Sequence, residues 1–100
     1  MIPSFLNMDQ VKAWLRLETE YTDEDQLLTL LMVNAENYLK RSISDFDKKM
    51  ADENIKSSAI LICHMLIVDW YENRDFGGGL NEKLRHSISS ILLQIELEVI

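Results

Sequence analysis

Proline, glycine and cysteine are all scarce in this chain: one Pro, three Gly and one Cys in 100 residues. The proline is Pro3 and the glycines stand together as Gly77-Gly78-Gly79. Most of the sequence therefore lacks the breakers that punctuate hairpins and short loops, which suits long helices joined by few connections. A lone cysteine, Cys63, excludes an internal disulfide and fits synthesis in a reducing compartment. Basic residues are also in the minority, with ten Lys and Arg against 17 Asp and Glu for a formal charge of −7. Phosphate backbones repel so acidic a chain unless its charges segregate strongly. The only adjacent basic pairs are Lys40-Arg41 and Lys48-Lys49, which make no nucleic-acid-binding stripe. The first residues lack the basic residue and long apolar core of an export signal, so none is expected.

What is abundant is apolar helix. The run from Ala59 to Tyr71 is interrupted only by His64 and Asp69. Helical spacing puts Ile55, Ala59, Ile62, Leu66 and Trp70 on one face, Ile60, Ile67 and Tyr71 on a neighbouring one, and Leu61, Met65 and Val68 on most of the rest. A helix apolar all round must be covered on every side. The reading is a buried central helix from about Asn54 to about Arg74, capped by Asp52 and ended by Asn73, Arg74 and the glycines. A bilayer needs about 20 apolar residues, so this run is too short to cross one.

The other segments pack around it. Asn7 caps a first helix over Met8–Leu17, with Met8, Val11, Trp14 and Leu15 inward and Asp9, Lys12 and Arg16 toward solvent. Thr22 caps a second helix from Asp23 to about Arg41, whose broad apolar face of Leu27, Leu28, Leu31, Met32, Ala35, Tyr38 and Leu39 calls for more than one neighbour. Residues 42–51 read as a loop with room for one helical turn, pinned by Ile43 and Phe46. Residues 80–86 read as a loop or as the start of the last helix. From about Ser87 the spacing of Ile88, Ile91, Leu92, Ile95 and Val99 is clearly helical, with Leu84 one turn earlier and Leu93, Leu97 and Ile100 on a second side. The fold class is all-α: one domain over 1–100, about four helices around the buried one, with an apolar segment at about 87–100 available for assembly.

Reactive chemistry finds no foothold. Cys63 and His64 are neighbours on a helix and point about 100° apart, so they cannot chelate one metal. His64 reads as a satisfied core histidine. Asp23-Glu24-Asp25 lacks the spacing, glycine and terminal glutamate of a calcium loop and reads as charge complementing a helix N-terminus. The three glycines lack the Lys-Ser/Thr and the preceding strand of a phosphate loop. No serine carries nucleophile-elbow glycines. Neither an enzyme nor a cofactor site is expected.

Two stretches carry a family resemblance: Met8-Asp-Gln-Val-Lys-Ala-Trp-Leu-Arg-Leu17 followed by acidic residues and Leu27-Leu28…Ala35-Glu-Asn-Tyr38-Leu39, and Asp69-Trp-Tyr-Glu-Asn-Arg74 closing the apolar helix. Together they resemble the phage head–tail connector family, small helical adaptors often labelled DNA-packaging proteins. The resemblance implies a structural virion protein at the head–tail junction. It would be made in the host cytoplasm and assemble as a ring on the portal, with a downstream head-completion or tail protein as a further partner. The ring would extend the DNA channel, with DNA passing unbound and no membrane involved. On that reading Trp70, Tyr71, Glu72, Arg74, Leu93, Leu97 and Ile100 are candidate subunit or partner contacts, with core packing the alternative for Trp70 and Tyr71. Glu20, Asp23, Glu24 and Asp25 are candidates for an acidic channel lining. The alternative from another class is a small acidic helical regulator or inhibitor that mimics DNA charge; a helix-turn-helix DNA binder lacks its basic recognition helix.

Overall fold

The computed structural model describes residues 6–73 and 82–97. They form α1 (Met8–Trp14), α2 (Asp25–Ser42), α3 (Phe46–Met50), α4 (Glu53–Glu72) and α5 (Glu82–Leu97), with no strand among the described residues. The all-α expectation holds, and α3 is the single turn for which residues 42–51 had room.

Local chemistry explains the boundaries. Asn7 accepts the Gln10 N–H at 2.7 Å, as a cap should. Yet α1 stops at Trp14, three residues short of Leu17. Arg16 adopts φ 61°, its N–H bonds Ala13 O at 3.1 Å, and the Leu17 N–H bonds Lys12 O at 2.8 Å. That is the paired closure of a helix through a left-handed residue, here made by arginine where glycine is usual. α2 begins at Asp25, not Asp23: the Thr22 carbonyl accepts the Asp25 N–H at 3.2 Å in a turn, and the N-cap position falls to Glu24, whose side chain makes no cap hydrogen bond, and not to Thr22. Asp52 does cap α4: its Oδ1 accepts the N–H groups of Asn54 at 2.9 Å and Ile55 at 3.2 Å. α4 closes on Asn73, whose N–H reaches Asp69 O at 2.8 Å. The expected stop signals Arg74 and Gly77–Gly79 lie outside the described residues. Of the two readings of residues 80–86, the start of the last helix holds from Glu82 onward, and the Ser87 hydroxyl donates to Lys83 O at 3.1 Å from within α5.

α4 is the centre of the bundle, in contact with all four other helices, most extensively with α2. Its Ile55, Ala59, Ile62, Cys63, Leu66 and Ile67 are buried against Leu31, Met32, Ala35 and Leu39 of α2, Val11 of α1 and Ile88 and Ile95 of α5. α2 and α4 run antiparallel, since the Tyr71 hydroxyl near the end of α4 donates to Glu24 just before α2 at 2.6 Å. Ile43 is buried and Phe46 packs on the core, so the α2–α3 connection is pinned as expected.

Two expectations about exposure fail. α4 is not covered on every side: Leu61 stays 47% exposed and Met65 and Val68 are half-buried. α1 covers one side, with the Trp14 ring stacked parallel on His64 at 4.7 Å, and α5 covers another, leaving a gap between them. Lys12, expected in solvent, is buried. Its stem lies within the fold while its ammonium donates to Thr19 O at 3.1 Å and pairs with Asp25 Oδ1 at 3.0 Å. A long lysine stem can cover apolar surface in this way while its head keeps polar partners.

Candidate functional site

The acidic stretch splits into two kinds of residue. Glu20 and Asp23 are exposed. Glu24 and Asp25 hold the fold together: Glu24 Oε1 accepts from Tyr71 at 2.6 Å and from Tyr21 at 3.4 Å, and Asp25 pairs with buried Lys12. Of these four, only Asp25 lies in the first turn of α2, so the reading as charge at a helix N-terminus fits that residue, while Glu20 and Asp23 precede the helix. Because α2 and α4 are antiparallel, Asp69 and Glu72 near the end of α4 join the cluster, so this end of the bundle is mainly acidic, with exposed Lys83 and Arg85 at the start of α5 beside it. The opposite end carries Lys40, Arg41 and Lys48, all exposed, among Asp45, Asp47 and Glu53.

The apolar candidates do not form one patch. Trp70 is half-buried in a cleft of about 400 Å³ that it lines with Leu30, Leu31, Asn34, Tyr38 and Arg41. Tyr71 sits on the Glu24 side, where packing and its hydrogen bond fit the core alternative for that residue. Glu72 is exposed at the end of a second groove, of about 350 Å³, lined also by Leu61, His64, Met65, Val68 and Leu84. Leu93 and Leu97 are one turn apart on α5, 61% and 71% exposed, on the side away from buried Ile88 and Ile95. Arg74 and Ile100 lie outside the described residues.

Three connections were missed by the sequence reading. Glu36 is buried, and its Oε2 accepts the Leu6 N–H at 3.1 Å, tying the N-terminal segment to α2. Its place between Met32 and Leu39 on the apolar stripe was the available signal. Glu36 also lies near Cys63, whose thiol is pushed up from its ordinary range by burial first and by the Glu36 charge second. A thiol so held is no nucleophile at neutral pH. At the other end, Glu96 of α5 accepts the Ser44 hydroxyl at 2.7 Å and the Ser44 N–H at 3.0 Å, with Lys49 at 3.5 Å. Those two Ser44 bonds hold the Glu96 carboxyl below its ordinary value, with Lys49 adding to the effect. Residues 52 positions apart give no sequence signal for such a contact.

Among the described residues, no three His, Cys, Asp or Glu side chains converge as a metal site, and no helix is long and apolar enough to cross a membrane. The arrangement offers surfaces, with charge at one end and apolar side chains facing outward. A family model, described as phage gp6-like head-tail connector protein, matches residues 6–96. The chain belongs to that connector family. The match covers α1 to α4 whole and all of α5 but its last residue, including both stretches that carried the resemblance. Comparison with curated proteins and with solved structures finds no match. A head–tail connector is a structural part, and its working features are the faces it presents to neighbours. On this chain the α5 leucines, the two apolar clefts and the acidic end are the surfaces left open among the described residues.

Proposed function

We propose that this connector assembles as a ring on the phage portal, extends the DNA channel and offers a platform to the next head-completion or tail protein. The supporting observation is the outward pair Leu93 and Leu97, on a helix already satisfied on its inner side by Ile88 and Ile95, in a chain whose family joins heads to tails. Exposed leucines repeated on one helix face suit a protein contact better than water. They are assigned here to the contact with the portal or the next protein in the stack. The role of the acidic end is repulsion: a channel edge carrying Glu20 and Asp23 lets DNA slide without binding, because like charges repel at short range and salt screens them.

Light scattering of the chain across a concentration series, with and without the portal protein of the same phage, tests the assembly. A complex of several copies per portal is expected; a strict monomer that ignores the portal would overturn the reading. The channel role is tested by Glu20→Lys with Asp23→Lys, both exposed, which should change stability by no more than about 0.5 kcal/mol. Assembled rings of the variant should retain DNA at low salt and release it as salt rises. Unchanged DNA passage and ejection would put the acidic end on the outer wall.

A further inference from the structure

α2 and α4 face each other through their buried stripes. At about 100° per residue, Leu30 lies roughly opposite the middle of the α2 stripe, and Leu61 roughly opposite that of α4. Both are exposed, at 58% and 47%. The two helices therefore carry outward leucines on opposite flanks of the same pair. One flank offers exposed Leu30, beside the cleft it lines with Trp70; the other is the groove of Leu61, Met65 and Val68, open between α1 and α5.

Their heights along the bundle agree. The Tyr71–Glu24 hydrogen bond marks a common level on the two antiparallel helices. Six residues into α2 from Glu24 is Leu30, and six residues back along α4 from Tyr71 is Met65. At about 1.5 Å per residue, Leu30 on one flank is level with the middle of the groove on the other. A copy related by rotation about an axis along the bundle keeps that level. Its Leu30 then faces the Leu61–Met65–Val68 groove directly, and two different surfaces meet head to tail, as a closed ring requires. The same count sets Arg41 level with Asn54, so the exposed Arg41 and Lys40 of one copy come beside the exposed Glu53 of the next. At the acidic end the count sets Asp23 level with Glu72, both exposed, and like charges crowd there.

From this we infer that the subunit contact of the ring is Leu30 of one copy seated in the Leu61–Met65–Val68 groove of its neighbour. The inference rests on the ring reading above and names the surfaces it uses. Salt should favour the contact, because each copy carries a formal charge of −7 and screening relieves that net repulsion, while the apolar seat is not screened.

Crosslinking with a short bis-maleimide tests it, since buried Cys63 leaves an introduced cysteine as the reactive thiol. The chain carrying both Leu30→Cys and Leu61→Cys should give a covalent ladder rising one subunit at a time, and each single variant should give no covalent dimer. Mixing the two single variants should yield the dimer. Leu30→Asp should weaken self-association at least tenfold while the melting temperature stays unchanged, and raised salt should strengthen association of the unaltered chain. Rings that form without the ladder, or Leu61→Cys chains that crosslink to one another, would overturn this pairing and leave the connector reading standing. A chain that never associates, alone or on the portal, would overturn both.

Discussion

Leu66 and Leu61 stand five residues apart on the same helix, one fully buried and the other 47% exposed. Nothing in their chemistry separates them; their neighbours do. Leu66 belongs to the buried core cluster, and Leu61 lines the groove that α1 and α5 leave open. α5 repeats the contrast with Ile88 and Ile95 inside and Leu93 and Leu97 outside. Apolar residues in this chain therefore do two jobs. The inner set supplies folding energy, and the outer set is available for neighbours.

Stability measurements can break or sharpen that division. The largest effect belongs to the inner set: Leu66→Ala should cost about 2–5 kcal/mol through lost burial and a residual cavity, read in urea melts. Leu61→Ala, in the same melts, should stay within about 0.5 kcal/mol. Equal losses at the two positions would show that the outer stripe belongs to the fold after all.

Next comes Lys12→Ala. It strips the buried partner from Asp25 and the donor from Thr19 O, and should cost about 1–3 kcal/mol. A surface lysine would cost almost nothing, so a neutral result would return Lys12 to solvent. Tyr71→Phe removes one hydroxyl from Glu24 and should lower stability by about 0.5–1.5 kcal/mol, with the fold intact by circular dichroism.

The smallest effect is at exposed Glu96. A carboxyl whose pKa is lowered by folding stabilises above the ordinary carboxylate range, and that contribution is lost as pH falls through the lowered value. Melting temperatures of the unaltered chain and of Glu96→Ala should therefore differ slightly at pH 7 and converge in acid. A gap that persists in acid would mean that packing, not the carboxylate, ties α5 to Ser44.

Much of this architecture was legible because it is local. The 3.6-residue spacing revealed α2, α4 and the second half of α5, and Asn7 and Asp52 marked the starts of α1 and α4 by capping chemistry. The end of α1 was not legible, since Arg16 takes a left-handed conformation that sequence assigns to glycine. Lys12 and Asp25 are 13 positions apart and Ser44 and Glu96 are 52 apart, so only the packed helices bring them together. The candidate surfaces were half legible. Leu93 and Leu97 stood out as a second side of α5, whereas Leu61 was hidden within an apolar run that reads as wholly internal. Periodicity tells how many apolar faces a helix has, and only the neighbours decide which of them is left open.

Portal co-sedimentation of a chain carrying Leu93→Asp and Leu97→Asp, paired with its thermal melt, tests this division of labour most directly. The account predicts a melting temperature equal to that of the unaltered chain, together with loss of portal binding. A lowered melting temperature with binding retained would contradict it.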